Sequence, residues 1–291
     1  MNCNTGGKHA FLIGAFKNPD YLLKLVDSLD SEKSNFYIHV NRYNDCEFNE
    51  FRNNISSRIN IHYYSIYKIK WGGSDMFFSQ MFLLDKALKD YENEYFHFIT
   101  GQDILIRPLN EFMFYVEECK ANFLNYFIMQ PSEWNYRYSY YSLYDILDIR
   151  SNWLLKKINS LFVRTQEFLH IKRTTMRFKQ MYGGSGWWSL RKDACQYLVS
   201  KWCEDKAFQK RIRFTHAPDE MLFQTYLLNS EKNIPIINDN LRYIMWEGNS
   251  SPKTLTIDDY DDIIQSEKYL ARKIDPIASQ SLIEKINRLK I

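Results

Sequence analysis

The chain lacks the patterns that mark several protein classes. It has five cysteines but no Cys-x-x-Cys pair, so neither a zinc site nor a disulfide framework is predicted, and a reducing cytosol fits best. It also has no apolar run of about eighteen residues, the length that would predict a transmembrane helix. Its first residues show no charged segment followed by an apolar one, so no signal peptide is expected. These absences lead us to expect a cytoplasmic protein.

Charge and short motifs exclude further classes. The net charge of +3 is small, whereas nucleic-acid binding needs a clustered basic face. The chain contains no P-loop, no Gly-x-Gly-x-x-Gly turn and no Gly-x-Ser-x-Gly elbow, which argues against P-loop, dinucleotide-binding and serine-hydrolase proteins. The six histidines show no metal-ligand spacing. We therefore expect no nucleic-acid partner and no zinc site.

Aromatic residues, by contrast, are abundant, with 21 Tyr and 20 Phe. They can form stacking platforms for sugars or bases, or they can fill an aromatic-rich core, and composition leaves both open. The length of 291 residues suits one large α/β domain or two small ones. No repeat and no linker rich in Gly, Ser or Pro divides the chain, so we predict one continuous domain over residues 1–291.

The order of the apolar runs predicts an α/β fold. A strand is expected at 9–16, a helix opened by Pro19, and further strands at 35–40 and 58–64. Strand, helix and strand at these spacings begin a parallel sheet. We therefore predict a Rossmann-like, mostly parallel central sheet with flanking helices, and a helical insertion near 140–178.

Polar residues follow the predicted strands. In open α/β sheets, ligands bind beyond the carboxyl ends of the strands, so we predict that these residues line a ligand pocket. They are Lys17, Asn41, the turn Trp71-Gly72-Gly73, and Gln102 with Asp103.

A Pro218-Asp219-Glu220 triplet begins a predicted helix. Acidic residues are common in a first turn because they complement the helix dipole, which explains the triplet by local structure alone. The alternative is that Glu220 is a rigidly held general base that accepts a proton from an attacking hydroxyl. The preceding Gly183–Trp188 run has glycines that permit close backbone approach, and its tryptophans either face a sugar or pack in the core.

The carboxylates form no recognisable metal site in the sequence. Asp103 stands alone after its strand, and the Asp259-Tyr260-Asp261 triplet lies in an acidic helical pattern. Without two hard-oxygen ligands, a tight Mg²⁺ or Mn²⁺ site is not expected. The charge of a phosphate leaving group must then be met by lysine or arginine, and the candidates are Lys253 and Lys273.

The segment from Arg150 to Arg177 combines basic residues with large apolar ones in an amphipathic pattern. Such a helix either lies on a membrane surface or is an ordinary solvated helix. Peripheral membrane contact therefore stays open.

The ordered set of these pieces resembles the core-2/I-branching β-1,6-N-acetylglucosaminyltransferase family, which also includes the peptide O-xylosyltransferases. The resemblance covers roughly residues 9–276, and it depends on the order of the pieces because each one alone is short. The matching pieces lie at 10–18, 36–41, 71–73, 100–103, 184–190, 218–220, 251–256 and 271–275.

The resemblance implies a GT-A-type glycosyltransferase fold that works without a metal or other cofactor. It implies a UDP-sugar donor, which the strand-end residues above would bind, and inversion to a β-linkage. Glu220 matches the family's base and Lys273 its diphosphate cation, while Lys253 is the nearest match for a second cation. On the acceptor side the candidates are Arg137, Trp187, Trp188, Tyr243 and Trp246.

The resemblance also suggests how the chain is organised and what it acts on. Residues 9–130 would bind the nucleotide sugar, 131–276 would bind the acceptor and carry catalysis, and 277–291 would form a C-terminal helix. N-acetylglucosamine is the first expectation for the sugar and xylose the alternative, with a glycan or lipid-linked glycan as acceptor. The chain resembles a bacterial member that builds a surface polysaccharide at the inner membrane face. A non-catalytic carbohydrate- or nucleotide-binding module and a glycoside hydrolase are the competing classes.

Overall fold

The computed structural model describes residues 7–130, 133–150, 152–173, 178–248 and 251–289. Strands and helices alternate through its first part, as the apolar runs predict. The strands are β1 (Lys8–Ala15), β2 (Ser34–Val40), β3 (Ile61–Tyr64), β4 (Asn93–Thr100), β5 (Asp103–Leu105), β6 (Asn122–Leu124), β7 (Phe127–Ile128), β8 (Tyr182–Gly183), β9 (Trp188–Arg191), β10 (Ile236–Ile237), β11 (Arg242–Ile244) and β12 (Leu270–Arg272). The helices are α1 (Pro19–Ser28), α2 (Asn49–Ile55), α3 (Asp75–Ala87), α4 (Leu109–Cys119), α5 (Tyr136–Ser139), α6 (Trp153–Phe168), α7 (Lys192–Glu204), α8 (Lys206–Ile212), α9 (Leu222–Leu228), α10 (Tyr260–Gln265) and α11 (Gln280–Leu289).

The central sheet has seven strands in the order β10-β6-β9-β4-β1-β2-β3. β1 pairs in parallel with β2 and β4, and β2 pairs in parallel with β3, whereas β9 runs antiparallel between β4 and β6. A smaller sheet, β11-β12-β5, begins directly after β4. The predicted α/β class and mostly parallel sheet are confirmed.

β1 lies at the centre of the sheet and is covered on both faces. Ala10 and Leu12 pack into an apolar cluster that includes residues of α3, α7 and α9. Phe11 and Ile13 pack on the other face with residues of α1, α2 and α4. Parallel strands that are covered on both faces need continuous apolar runs, and this one has such a run. The buried sheet gives the loops at its carboxyl edge a rigid base.

The helical insertion is also confirmed, with α6 as its longest helix. The helix expected from Pro218 is not continuous, because Pro218–Glu220 forms a 3-10 turn and α9 begins only at Leu222. Ala217 precedes the turn with a φ of 47°, in the left-handed region, so the chain changes direction there. Glu220 therefore lies in a turn between two elements. Within the described residues, no helix is long and apolar enough to cross a bilayer.

Four histidines are buried in this fold, namely His9, His39, His97 and His216. His97 lies 2.9 Å from both His9 Nδ1 and Ser189 Oγ, so a hydrogen-bonded chain crosses β1, β4 and β9. Burial lowers the pKa of His9 and of His39 to about 4 and that of His216 to about 3. Burial also holds the pKa of His97 well below its usual range. All four are therefore neutral at pH 7.

Acid should destabilise the protein through these histidines. Their folded-state pKa values are depressed, so their contribution is complete above about pH 6.5 and is lost as the pH falls toward 4. Lowering the pH from about 7 to about 5.5 should cost about 1 kcal/mol of unfolding free energy for each histidine, or roughly 4–5 kcal/mol together. Urea unfolding at the two pH values measures the change.

The matched control compares a buried with an exposed histidine. His39→Gln should reduce the pH dependence by about one proton, and His62→Gln, at an exposed position, controls for the substitution itself. An unfolding free energy that stays constant across this pH range would contradict the assignment of neutral, buried imidazoles.

Candidate active site

The carboxyl ends of β1, β2 and β4 meet at one edge of the central sheet, and most of the predicted pocket residues lie there. Asn41 N donates to Ala15 O at 2.8 Å, which joins the ends of β1 and β2. The Asn41 side chain donates to Ile69 O and accepts from Ile69 N. Asn41 therefore fixes the loop that leads to Trp71.

A group of cations lies near this edge. Lys273 is half-buried, and its pKa is lowered first by burial and then by the charges of Lys17, Arg150 and Arg272. Lys17 has a carboxylate nearby, since its Nζ lies 3.6 Å from Asp275 Oδ2. In the part of the chain that the structure describes, no carboxylate forms an ion pair with Lys273 or Arg150. We call Lys17, Arg150, Arg272 and Lys273 the cation cluster. An excess of positive charge of this kind favours an anionic ligand.

Arg150 enters the cluster from the helical insertion. Its guanidinium donates to Ser251 Oγ and lies 5.4 Å from the centre of the Trp71 ring. It therefore bridges the Trp71 turn and the loop that carries Lys253. The sequence pattern does not distinguish Arg150 from the other basic residues of its segment, so sequence reasoning does not identify it.

Asp103 is buried and does not line the pocket surface, which corrects its predicted place in the pocket lining. Its side chain is 0% exposed and accepts hydrogen bonds from the Thr100 N–H at 3.0 Å and the Thr100 hydroxyl at 3.1 Å. Its two oxygens also lie 3.3 Å from Arg272 Nη1 and 3.9 Å from Arg242 Nε. The carboxylate therefore balances two buried arginines and holds Arg272 in the cation cluster.

Gln102 joins the end of β4 to the loop after β12. Its carbonyl accepts from Ile274 N at 2.8 Å, and its side-chain amide lies 3.5 Å from Ile274 O. The adjacent residue, Lys273, is thereby fixed against the sheet edge.

The backbones of Lys253 and Lys273 are hydrogen-bonded to each other, but the charge of the Lys253 side chain is already balanced. Lys273 N donates to Lys253 O at 3.3 Å. The Lys253 Nζ lies 2.8 Å from Asp259 Oδ1 and 3.3 Å from Glu247 Oε1. Two carboxylates thus compete with any phosphate for this ammonium group, which makes Arg150 the better placed second cation.

The predicted base and a predicted acceptor residue are in direct contact. Arg137 Nη1 donates to Glu220 Oε2 at 2.6 Å, and the guanidinium lies 3.4 Å from the centre of the Trp134 ring. Within the described residues, Glu220 Oε1 accepts no hydrogen bond. Arg137 therefore orients the carboxylate through one oxygen and leaves the other available.

The neighbouring carboxyl, Asp219, is in a different environment. Removal from water, and secondly the charge of Glu220, raise the pKa of Asp219 above its ordinary value. Two adjacent carboxyls do not ionise independently, and the one with poorer solvation keeps its proton to higher pH. Glu220, which has the arginine partner, is therefore the better candidate for a proton acceptor.

The Gly183–Trp188 run lies against the Pro-Asp-Glu turn. Gly184 N donates to Glu220 O at 2.9 Å. A Cβ on Gly184 would lie 1.8 Å from Asn125 O, and one on Gly186 would lie 3.1 Å from Asp219 Oδ2. Glycine is required at residue 184 because any side chain there would overlap the backbone.

The two tryptophans of this run have different surroundings. Trp187 is half-buried, and Arg272 lies over its ring, 3.7 Å from the centre, so Trp187 connects the cation cluster with the Pro-Asp-Glu turn. Trp188 is 0% exposed and packs against Phe98 and Phe223. The prediction that Trp188 binds an acceptor is wrong, because its indole fills the core.

The Trp71-Gly72-Gly73 turn packs on the segment that precedes the Pro-Asp-Glu turn. Ala217 N donates to Gly72 O at 2.7 Å. Gly72 has a φ of 74°, and a Cβ there would lie 3.0 Å from the Tyr144 ring, so both conformation and space favour glycine. Tyr144 stacks on His216 with 4.1 Å between ring centres. These contacts bring the predicted donor turn and the candidate base turn together.

The other two acceptor candidates lie in a different part of the structure. Tyr243, in β11, packs with a third apolar cluster that contains Ile104, and its charged neighbours include Asp262 and Lys253. Trp246 is 55% exposed. No hydrogen bond or ring contact within the described residues joins either of them to the Pro-Asp-Glu turn. Their role in acceptor binding stays a prediction.

A separate groove lies elsewhere on the molecule, and the described residues form no group of metal ligands. Within the described residues, no group of three or more His, Cys, Asp or Glu side chains is arranged to hold a metal ion. A groove of about 950 Å³ is lined by residues of 28–33 and 105–117. It lies near the amino end of β2, away from the strand ends that carry the predicted residues, and none of those residues lines it.

Comparison with known proteins identifies the family. The sequence profile of the Core-2/I-Branching enzyme family matches residues 9–265. No curated protein sequence matches the chain.

Solved structures are less informative. TarS from S. aureus aligns with a TM-score of 0.31 and 14% identity over 40% of this chain and 21% of the TarS chain, so the chain spans only about a fifth of that protein. The 4-diphosphocytidyl-2C-methyl-D-erythritol synthase from Anaerococcus prevotii DSM 20548 aligns with a TM-score of 0.40 and 11% identity over 90% of this chain and 95% of the synthase chain. Both scores are too low to indicate a shared function.

Asp103→Asn should destabilise the protein, because it leaves Arg242 and Arg272 buried without their counter-charge. Removing one partner of a buried ion pair costs about 3–5 kcal/mol. Denaturant unfolding measures the loss, with Asp275→Asn as control, since that partly exposed pair should be worth less than about 1 kcal/mol. If EDTA reproduced the effect on the unmodified protein and Mn²⁺ reversed it, Asp103 would be a metal ligand instead.

Proposed function

The chain belongs to the core-2/I-branching enzyme family and is therefore a glycosyltransferase, and we propose that it transfers a sugar from UDP to a glycan hydroxyl with inversion and without a metal ion. The observation that supports this most directly is a continuous set of contacts between two chemical requirements. Glu220, with one open oxygen, adjoins the glycine-rich run, which leads through Trp187 to the cation cluster. Inverting transfer needs one base and a counter-charge for the leaving group.

In the proposed step, the acceptor oxygen attacks the anomeric carbon while the bond from that carbon to the UDP oxygen breaks on the opposite face. The acceptor proton passes to Glu220 Oε1, and the electron pair of the broken bond stays on UDP. Arg137 keeps the carboxylate in position through Oε2. The products are the glycosylated acceptor in a β-linkage and UDP, and the proton on Glu220 returns to solvent.

The cation cluster provides the counter-charge for the diphosphate. Like charges that lie close together in a partly buried site repel one another. Burial is the largest cause of the lowered pKa of Lys273, and repulsion by the neighbouring cations comes next. A bound diphosphate relieves it through charge-assisted hydrogen bonds. We assign Lys273 and Arg150 to the diphosphate, with Lys17 at the rim and Arg272 held from beneath by Asp103.

The remaining assignments follow from the same arrangement. Asn41, the Trp71 turn and Gln102 border the donor pocket, and Arg137 with Trp187 borders the acceptor side. Residues 9–130 form the donor half and 131–276 the acceptor half, with the qualification that Arg150 and Lys273 reach the donor from the second half. We propose N-acetylglucosamine as the sugar, with xylose as the alternative, and a bacterial surface glycan or lipid-linked glycan as the acceptor, made in the cytoplasm.

Glu220→Gln should cut turnover about 10²–10⁴-fold, the usual contribution of general-base catalysis, while UDP-sugar binding stays nearly unchanged. A screen of UDP release with UDP-GlcNAc, UDP-xylose, UDP-Gal and UDP-Glc first identifies the donor, and the same assay then compares the variants. Asp219→Asn is the neighbouring control and should be milder. Near-normal turnover by folded Glu220→Gln would remove the base assignment, and sugar release without UDP would indicate a hydrolase.

Lys273→Ala and Arg150→Ala should each weaken UDP binding by roughly ten- to a hundredfold, because each loses a charged hydrogen bond worth about 1.5–3 kcal/mol. Lys253→Ala is the matched control and should change the affinity little, since its ammonium is already paired. Titration calorimetry with UDP measures all three. A loss confined to Lys253→Ala would show that the second cation has been assigned to the wrong residue.

A further inference from the structure

Helix α6 packs through its polar side chains. Its buried residues are Asn159 and Gln166. Asn159 Oδ1 accepts from Leu143 N at 2.8 Å, and the Gln166 side chain exchanges two hydrogen bonds of 2.9 Å with the backbone of Tyr141. An ordinary surface helix packs its apolar face on the core and exposes its polar face. Here polar side chains make the contacts with the rest of the protein, so apolar residues remain exposed.

Most of the large apolar residues of this helix face outward, while Leu155 and Val163 are half-buried. Trp153 is 66% exposed, Leu161 67% and Phe168 83%. Leu154, Ile158, Leu161 and Phe168 are spaced by four, three and seven residues, so they form one stripe along the helix. We call six of the exposed apolar residues of this region the α6 surface: Trp153, Leu154, Ile158, Leu161, Phe168 and, just after the helix, Leu169.

Basic residues accompany this surface. Lys157 and Arg164 lie seven residues apart and border the stripe, and Lys156 and Lys172 are exposed nearby. The Lys157 Nζ lies 4.4 Å from the centre of the Trp153 ring. Glu167 is the one acidic residue in the sequence of α6, so the helix has a positive net charge.

We propose that the α6 surface docks on an anionic lipid bilayer, with the helix lying in the interface. Helices that lie on membranes typically combine exposed Leu and Phe with Trp, Lys and Arg. The positive charge selects anionic headgroups. At 16 residues, α6 is shorter than the about 20 residues that cross a bilayer, so it lies on the membrane.

A second copy of the chain fits this surface less well. A two-fold interface would place the same patch against itself. Lys157 and Arg164 of both copies would then be brought into one interface, and like charges there are costly. An anionic bilayer offers the opposite charge and an apolar interior at the same contact.

The α6 surface is connected to the candidate site through the chain itself. Arg150 of the cation cluster lies just before α6 in the chain. The helix also hydrogen-bonds to the backbone of Tyr141 and Leu143. The next residue, Tyr144, packs on the Trp71 turn. Docking would therefore hold the rim of the cleft at a fixed place relative to the lipid. The inference rests on the surface and not on the reaction proposed above, so it stands or falls separately.

The test is co-sedimentation with vesicles of phosphatidylcholine alone and of phosphatidylcholine with about 30% phosphatidylglycerol, a fraction chosen to give a negative surface potential. The protein should bind the anionic vesicles and be released by high salt, which screens the attraction. The double variant Leu161→Glu/Phe168→Glu should lose at least about tenfold in partitioning, because charge is inserted into the apolar stripe. Lys157→Gln/Arg164→Gln should lose about fivefold per charge, roughly thirtyfold together.

Matched controls place the same change elsewhere. Ile59 and Tyr91 are 96% and 81% exposed, so Ile59→Glu/Tyr91→Glu should bind vesicles like the unmodified protein. Circular dichroism and denaturant unfolding report whether each variant is folded. If the Leu161→Glu/Phe168→Glu variant fails to fold, Leu161→Ser/Phe168→Ser takes its place.

Several results would overturn the proposal. They are no binding of the unmodified protein to anionic vesicles, equal binding to vesicles of phosphatidylcholine alone, or an equal loss in the Ile59→Glu/Tyr91→Glu control. A dimer in sedimentation velocity that Leu161→Glu/Phe168→Glu dissociates, together with no vesicle binding, would instead make the α6 surface an interface between copies. Loss of turnover without loss of vesicle binding would affect only the proposed reaction.

Discussion

The buried carboxylate of Asp103 is the group on which the geometry of the candidate site depends. It accepts hydrogen bonds from Thr100 at the end of β4, and it balances Arg242 in β11 and Arg272 in β12. A charge without water requires a partner, so the small sheet has to lie against the end of the central sheet. Lys273 follows Arg272 directly, and its place at the strand ends is a consequence of this contact.

The distribution of balanced and unbalanced charge distinguishes structure from function here. Asp103 is satisfied by its arginines, and Lys253 is satisfied by Asp259 and Glu247. Lys273 has three cations near it, Lys17, Arg150 and Arg272, against the single carboxylate of Asp275; such an excess of positive charge costs stability by itself and is relieved by an anion. An arrangement that is unfavourable without a ligand, set beside one that is fully compensated, is typical of a binding site rather than of a structural ion-pair network.

Much of the fold is predictable from the sequence because its signals are local. The continuous apolar runs of β1 and β2 are what parallel strands covered on both faces require, and the rule that ligands bind at strand ends located Lys17 and Asn41. The ordered pieces of a family pattern pointed to Glu220 and Lys273 as candidates, and the structure gives each a distinct charge environment. Each of these inferences depends on residues that are close together in the chain.

The rest of the site depends on contacts between distant segments, which local patterns do not contain. Trp187 and Trp188 look alike in the sequence, but successive strand residues face opposite ways, and only the pairing of β9 with β4 and β6 shows which ring is buried. A polar residue after a strand, such as Asp103, indicates a ligand until its two arginine partners, some 140 and 170 residues further along, are known. The inserted segment before α6 shows the same dependence. Asp145 accepts hydrogen bonds from the Ser74 N–H, the Ser74 hydroxyl and the Phe214 N–H, which fixes this segment between α3 and the approach to the Pro-Asp-Glu turn.

That attachment explains how one inserted segment serves both halves of the proposed chemistry. In the segment 137–150, which leads into α6, Arg137 at the start contacts Glu220, and Arg150 at the end joins the cation cluster. Both arginines are therefore held by the docking of the segment between them and not by strands of the central sheet. In the proposed reaction, a segment that carries one partner for the base and one for the diphosphate would couple acceptor binding to donor binding through a single packed element. The same element continues into α6, so the contact that completes the site also determines which apolar surface is presented to solvent.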